Sequence, residues 1–197
     1  MITLSLSDSE KNAIANVSKK LGVPSEWLLS QMEMESSMNP LARNVKSGAR
    51  GLIQFLPSTA KGMGYKDADQ LVALFPTIES QVAGPVFDYY KRGMPYSSFE
   101  DFLAYVFLPA ARIWGKRDGN WQRDFTSMSN IKPALAQKII LQNGIRNMAE
   151  YAAFATKRAT KYGIKTTVAK ASIAGAALLT FGIVGFMLLK RTLLSAQ

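Results

Sequence analysis

The spacing of apolar and polar residues predicts helices along most of the chain. Near the N-terminus, apolar residues recur at intervals of up to four positions, at Ala13, Ile14, Val17 and Leu21. This spacing places them on one face of a helix. Ser7 and Glu10 have the spacing of a capping box before that helix, and Gly22 is a typical helix-ending residue. No segment alternates apolar and polar residues over a useful length, so the pattern predicts an all-α fold.

Prolines predict the bounds of the next helices. A second helix begins near Pro24 and ends by Asn39, because helical geometry is disfavoured for the residue that precedes Pro40. Residues 77–92 read as a helix that Pro85 kinks or divides, since proline lacks the backbone N–H that a helix interior needs.

The C-terminal half is predicted to contain two further helices. One follows Ser98, and the last runs from Pro133 through a basic stretch into the apolar segment 171–189. That segment holds no charged residue, and as a helix it would be about 28 Å long, close to the thickness of a bilayer's hydrocarbon core. Lys170 and Lys190 border it. The sequence therefore predicts a single C-terminal transmembrane helix.

The net charge of +10 is unevenly distributed. Residues 1–144 contain 16 Lys and Arg against 13 Asp and Glu, whereas residues 145–197 contain 8 against 1. Most cations near the apolar segment precede it, so the positive-inside rule predicts that the preceding domain faces the cytoplasm. We also expect no export signal, because the first eight residues lack an apolar core. The basic residues adjoin an apolar span without interleaved aromatics, which favours a lipid surface over nucleic acid.

The composition excludes several kinds of chemistry. The chain has no cysteine, which excludes disulfides, thiolate metal sites and thiol nucleophiles. It has no histidine, which excludes Ser-His triads and imidazole metal ligands. Acid–base chemistry near neutral pH must therefore use Asp, Glu, Lys or Tyr. No metal-binding loop is visible, and we expect no cofactor and no metal.

One carboxylate stands where a core residue is expected. Leu28, Met32 and Glu35 share one stripe of the second helix, whereas Glu33 lies about 200° away and is predicted to face solvent. Apolar surroundings disfavour the charged form of a carboxyl group and raise its pKa, as a general acid requires. The other interpretation of Glu35 is a buried carboxylate satisfied by the backbone or by Arg50.

The residues around Glu35 form an ordered motif. Its members are Glu35-Ser36, Asn39-Pro40, the run from Gly48 through Arg50, Gly51, Leu52 and Ile53 to Gln54, then Pro57 and Thr59-Ala60. In order and spacing this motif resembles the active-site segment of lytic transglycosylases. Members of that family have a lysozyme-like fold and cut the glycan strands of peptidoglycan. The resemblance implies an all-α, lysozyme-like domain with Glu35 as its catalytic residue.

The resemblance also implies roles for other residues. One glutamate acts as acid and then as base while the substrate's C6 hydroxyl attacks C1, so no second carboxylate is needed. Ser36 matches the serine beside the acid, and Gln54 matches a glutamine that faces the sugar, so both are expected to bind substrate. Tyr105 matches the aromatic residue of a third family motif and is expected to bind substrate, and a plain core tyrosine is the other interpretation. The asparagine and glycine of that motif are absent, and Val106 and Leu108 lie nearby instead.

These observations predict four segments with one function. Residues 1–144 form the lytic transglycosylase domain, 145–170 a basic amphipathic stem, 171–189 the transmembrane helix and 190–197 a short tail. We expect the protein to cleave peptidoglycan to 1,6-anhydro-muramic ends, anchored in a virion membrane or in the inner membrane of an infected cell. It would open the wall during phage genome delivery or lysis, with virion structural proteins as further partners. A hydrolytic muramidase and a non-catalytic glycan-binding or structural virion protein remain alternatives.

Overall fold

The computed structural model describes residues 6–161, and this range is helical with no strands. Its α-helices are α1 (Asp8–Leu21), α2 (Ser25–Ser36), α3 (Pro57–Gly62), α4 (Ala68–Leu74), α5 (Ile78–Gln81), α6 (Phe87–Tyr90), α7 (Phe99–Phe107), α8 (Pro109–Asp118), α9 (Pro133–Asn143) and α10 (Met148–Lys161). Between α2 and α3 the chain forms a loop that Arg50 pins through isolated bridges to Arg43 and Phe55. The helical architecture agrees with the predicted all-α, lysozyme-like class.

The described chain divides into two compact units. Unit 1 contains residues 6–96 together with residues 158–161, the end of α10. Unit 2 contains residues 97–157.

The local signals at both ends of α1 form as predicted. The Ser7 hydroxyl accepts a hydrogen bond from the Glu10 amide, and the Glu10 carboxylate accepts one from the Ser7 amide. Gly22 adopts the left-handed conformation at the C-cap, with φ of 67°. Ile14 and Val17 are buried, so the predicted apolar face packs inside unit 1.

Pro85 divides the predicted helix over residues 77–92, as expected. A π-helical segment, Val82–Val86, separates α5 from α6 and contains the proline. Proline lacks the N–H that a regular α-helical turn needs, and a π-bulge is a common way to accommodate the missing bond. The inserted turn leaves Gln81, Val82 and Val86 buried.

In unit 2, α7 begins after Ser98 as predicted, and the Ser98 hydroxyl accepts a hydrogen bond from the Asp101 amide. The prediction of one helix continuing from Pro133 into the C-terminal segment was wrong. Gly144 ends α9 in the left-handed conformation, with φ of 66°, and α10 begins at Met148. A left-handed residue turns the chain away from the helix axis, so the two helices are separate.

The described part of the predicted stem, residues 145–161, contains α10. Met148, Tyr151, Ala152 and Ala155 of this helix are buried, and the Tyr151 ring stacks on Phe107 at 4.0 Å. Within residues 6–161, none of the helices combines the length and apolar character needed to cross a membrane. The predicted span 171–189 and the tail 190–197 lie outside the described residues.

Candidate active site

The last turn of α2 holds Glu35 in a buried position. Met32 and Leu28, one and two turns earlier, are fully buried, and Glu35 is only 3% exposed. The predicted stripe therefore packs into unit 1 with a carboxylate at its end. The Gln31 side chain, one turn back, donates a hydrogen bond from Nε2 to Glu35 Oε1 at 2.9 Å. The Glu35 carboxylate is therefore shielded from water at the end of an apolar stripe, and it accepts a hydrogen bond from an amide.

Arg50 does not fill the role suggested for it beside Glu35. Its Nε forms an ion pair with Asp69 Oδ1 at 2.9 Å. The Asp69 side chain is 61% exposed, so this pair lies at the surface. Arg50 therefore braces the loop after α2 against α4.

The prediction that Glu33 faces solvent was wrong. Glu33 is fully buried, and Arg158 Nε lies 2.7 Å from its Oε2. The prediction used helix geometry alone and assumed that only one face of α2 is covered. In the structure the end of α10 covers the face opposite Glu35, so both faces of the last turn are buried.

Ser36 is buried and donates a hydrogen bond from its hydroxyl to the Met32 carbonyl at 2.9 Å. A serine bonded to the carbonyl four residues back is held in one rotamer, and such a bond often bends the helix. The hydroxyl proton is thus committed to the helix backbone, whereas its oxygen retains acceptor capacity. A contact between Ser36 and substrate stays a prediction.

Backbone strain is concentrated around α2. In the part of the chain that the structure describes, the non-glycine residues with positive φ are Ser37 (53°), Met38 (61°) and Gln54 (52°). Ser37 is the left-handed C-cap of α2, and its amide bonds to the Glu33 carbonyl. Left-handed geometry costs an L-residue roughly 1–2 kcal/mol, and such strain clusters at functional sites. All three positions follow Glu35-Ser36 within the stretch that carries the sequence motif.

Gln54 holds the motif loop together. Its Nε2 donates hydrogen bonds to the Gly51 carbonyl at 3.0 Å and to the Ala42 carbonyl at 3.5 Å, and the side chain is buried. The backbone of Arg50 pairs with Phe55 in both directions, which closes a tight turn around Gln54. The structure therefore gives Gln54 a role in the shape of the loop, and its predicted contact with the sugar is untested.

Sequence reasoning missed Gln81, which joins the two segments that follow α2. Its Oε1 accepts a hydrogen bond from the Leu52 amide at 2.8 Å, and its Nε2 donates one to the Pro40 carbonyl at 2.6 Å. Gly51 faces the same side chain with φ of 77°, and a Cβ there would lie 2.6 Å from Gln81 Oε1. The available signal was a polar residue among the apolar positions Ile78 and Val82.

A hydrolytic muramidase would use a second catalytic carboxylate, but other carboxylates of the described residues have structural roles. Asp67 caps α4, Asp69 pairs with Arg50, Asp88 pairs with Lys91, and Asp101 pairs with Arg112 and accepts from Ser97. Glu100 lies in the first turn of α7, where the helix dipole favours an acidic residue. For Glu79 a backbone amide hydrogen bond holds the pKa of the carboxyl below its usual value. Among residues 6–161 no group of three or more acidic side chains could hold a metal ion.

Tyr105 lies on α7 in unit 2, whereas Glu35, Ser36 and Gln54 belong to unit 1. The Arg112 guanidinium lies 5.0 Å from the centre of its ring, a cation–π arrangement. Tyr105 and Arg112 line a groove of about 280 Å³ together with Pro109, Ile113 and Lys116. A substrate-binding role for Tyr105 is not tested by this placement.

Residues 12–94 match the sequence model of the Transglycosylase SLT domain. The matched segment contains Glu35, Ser36, Gln54 and Gln81 and ends before Tyr105. Searches of curated proteins and of solved structures found no match to the chain. The similarity thus covers most of unit 1 and includes the motif singled out in the sequence.

Proposed function

We propose that this protein is a peptidoglycan lytic transglycosylase with Glu35 as its single catalytic carboxyl group. The observation that supports this most directly is the burial of Glu35 at the end of α2, inside the segment that matches the Transglycosylase SLT domain. The match to the domain covers residues 12–94 and does not by itself identify the catalytic residue. The structure supports Glu35 because it combines a carboxyl group, burial and a dedicated amide donor.

The proposed reaction begins with proton transfer. Glu35 in its acid form donates a proton to the oxygen that joins N-acetylmuramic acid C1 to the next sugar, and the C1–O bond breaks. The resulting carboxylate then accepts the proton of the muramic acid C6 hydroxyl as that oxygen bonds to C1. Glu35 ends protonated, as it began, and the product is a 1,6-anhydro-muramic end. No water is consumed and no second carboxylate takes part.

The surrounding residues suit such a cycle. Glu35 must be stable both protonated and ionised, and the Gln31 N–H stabilises the ionised form by a hydrogen bond. The strained residues Ser37 and Gln54 and the bridging residue Gln81 hold the adjoining loop in one arrangement. Preorganised groups lower the barrier because they need no rearrangement during reaction.

The test is analysis of the muropeptides released from purified peptidoglycan by the full chain in detergent. We expect 1,6-anhydro-muramic products that disappear in Glu35→Gln. Glu26→Gln is the matched control, because it makes the same chemical change in the first turn of the same helix. Products with reducing ends would instead favour a hydrolytic muramidase. Absence of release by the wild-type protein would favour a binding or structural role.

We further propose that residues 171–189 anchor the enzyme in a membrane. The support is the uncharged segment itself and the excess of Lys and Arg before it, which favours a cytoplasmic domain. Peptidoglycan lies on the other side of that membrane, so a cytoplasmic domain could not reach its substrate. Carriage in a phage particle would bring the two together, because the enzyme would meet the wall during genome delivery to the next cell.

Protease protection tests this orientation. In spheroplasts of expressing cells we expect the catalytic domain to resist added protease and to become sensitive after lysis of the inner membrane. Deletion of 171–189 should release the protein from the membrane fraction. Cleavage in intact spheroplasts would contradict the orientation and, with it, the argument for a phage particle.

A further inference from the structure

Arg158 contacts the back of the turn that holds the proposed catalytic residue. Its Nε lies 2.7 Å from Glu33 Oε2, and its terminal nitrogen Nη2 lies 3.4 Å from the Ser37 hydroxyl. Glu33 and Ser37 are four residues apart, on one face of the helix end. Glu35 lies between them in sequence and about 200° from Glu33 around the axis. Arg158 therefore braces α2 from the side opposite Glu35 and does not face the same space.

The two carboxylates in the last turn of α2 require a basic residue from another part of the chain. Glu33 and Glu35 both lie at the C-terminal end of α2, where the helix dipole disfavours negative charge. The last turn of α2 contains no basic residue of its own. Glu33 is fully buried, and the Arg158 side chain is only 16% exposed. A buried carboxylate of this kind is stable only with a bonded partner, and Arg158 supplies it.

The contact between Arg158 and Glu33 joins two distant parts of the sequence. Arg158 lies 125 positions after Glu33, at the end of α10, but belongs to the same compact unit as α2. Unit 1 is therefore complete only when the chain has reached Arg158.

We propose that Arg158 is a positioning residue for Glu35, which holds the last turn of α2 by neutralising Glu33 and contacting the Ser37 cap. This inference rests on the proposed function of Glu35. Without Arg158 the Glu33 carboxylate would be left buried and uncompensated, and the turn would shift to hydrate it. Such a shift moves Glu35 away from the scissile bond. A displacement of about 1 Å can lower a rate by two orders of magnitude.

Kinetics of the full chain in detergent micelles, on soluble glycan strands, test the proposal. For Arg158→Met we expect kcat to fall roughly ten- to hundred-fold with KM within about two-fold of wild type, because substrate contacts are unchanged. The double variant Glu33→Gln, Arg158→Met should recover much of kcat, since it removes the uncompensated charge. Arg146→Met is the matched control: Arg146 pairs with Asp124 within unit 2, and kcat should not change.

Several outcomes would overturn the proposal. One is wild-type kcat in Arg158→Met; another is an equal loss in Arg146→Met. If Arg158→Met does not fold, the double variant Glu33→Gln, Arg158→Met takes its place, and a folded double variant whose kcat stays roughly a hundred-fold below wild type has the same meaning.

Hydrogen exchange separates this proposal from the proposed function. If the wild-type protein cleaves no glycan, the proposed catalytic role of Glu35 fails. Hydrogen exchange alone then tests whether Arg158 holds the last turn of α2. Amides of residues 34–38 should then exchange faster in Arg158→Met, whereas those of residues 14–21 in α1 should not change. Unchanged exchange at residues 34–38 would show that Arg158 does not hold the turn.

Discussion

The side-chain amide of Gln31 donates a hydrogen bond to the carboxylate of Glu35, with 2.9 Å between Nε2 and Oε1. Both side chains are buried and lie one turn apart on α2. The donor stabilises the ionised carboxylate, the form that must accept the C6 hydroxyl proton in the proposed reaction. The helix that places the acid thus also supplies its partner.

Gln31→Leu should therefore slow the reaction. Hydrogen bonds to a charged group contribute about 1.5–3 kcal/mol, so kcat/KM for glycan cleavage should fall roughly ten- to hundred-fold. The measurement is release of anhydro-muropeptides at neutral pH. Gln137→Leu, the same change at an exposed position of α9, is the control and should leave the rate unchanged. A Gln31→Leu rate within two-fold of wild type would exclude a role for this donor.

Gly51→Ala should destabilise unit 1 more than Gly22→Ala. Both glycines have positive φ, 77° and 67°, so both substitutions strain the backbone, at a cost of about 1–2 kcal/mol. Only at Gly51 would the new Cβ meet a neighbour, Gln81 Oε1 at 2.6 Å, which adds about 1–3 kcal/mol of overpacking. Urea unfolding of the two variants measures the difference. Equal losses in the free energy of unfolding would show that the loop around Gly51 accommodates the Cβ without added strain.

Gln81→Ala should weaken both the fold and the reaction. It leaves the Leu52 amide and the Pro40 carbonyl without this partner, and each unsatisfied buried group costs about 1–3 kcal/mol. It should also relieve the clash of Gly51→Ala, so the double variant should lose less stability than the two single losses combined. If the changes in the free energy of unfolding are additive in this double-mutant cycle, residues 51 and 81 are not in direct contact.

Asp124 should contribute stability that is lost in acid. Burial by itself would raise the pKa of this carboxyl, but hydrogen bonds from Thr126 and from the Arg146 guanidinium hold the pKa below its usual value. A group whose pKa is depressed in the folded state stabilises the protein above the unfolded pKa and stops doing so as pH falls through the folded pKa. Asp124→Asn should thus lower the urea midpoint at pH 7 and reduce its further drop below about pH 4. An unchanged pH dependence would contradict this linkage.

Local signals predicted much of the helical framework. The capping box at Ser7, the glycine after Leu21 and the N-cap at Ser98 act over a few residues, and each helix end formed where these signals stand. The break between α9 and α10 also had local signals, Gly144 and the cap at Asn147, whose Oδ1 accepts from the Glu150 amide. The prediction of a continuous helix from Pro133 missed both signals.

The candidate site was predictable where its residues are contiguous. Glu35, Ser36 and Gln54 lie within one motif of about twenty residues, and the resemblance of that motif to lytic transglycosylases singles them out. The contacts of Gln54 were not predictable, because its amide bonds to carbonyls of its own loop and depends on how that loop closes.

The sequence by itself determined the helical class, the position of Glu35 at the end of α2 and the motif that points to glycan cleavage. The helical class and the position of Glu35 follow from interactions between residues close in the chain, whose geometry a helix dictates. The motif points to glycan cleavage through its resemblance to lytic transglycosylases. Only the tertiary structure decided the burial of Glu33 and the bridge made by Gln81. Their partners lie 125 and 29 positions away, and such pairs depend on how the elements pack rather than on any local pattern.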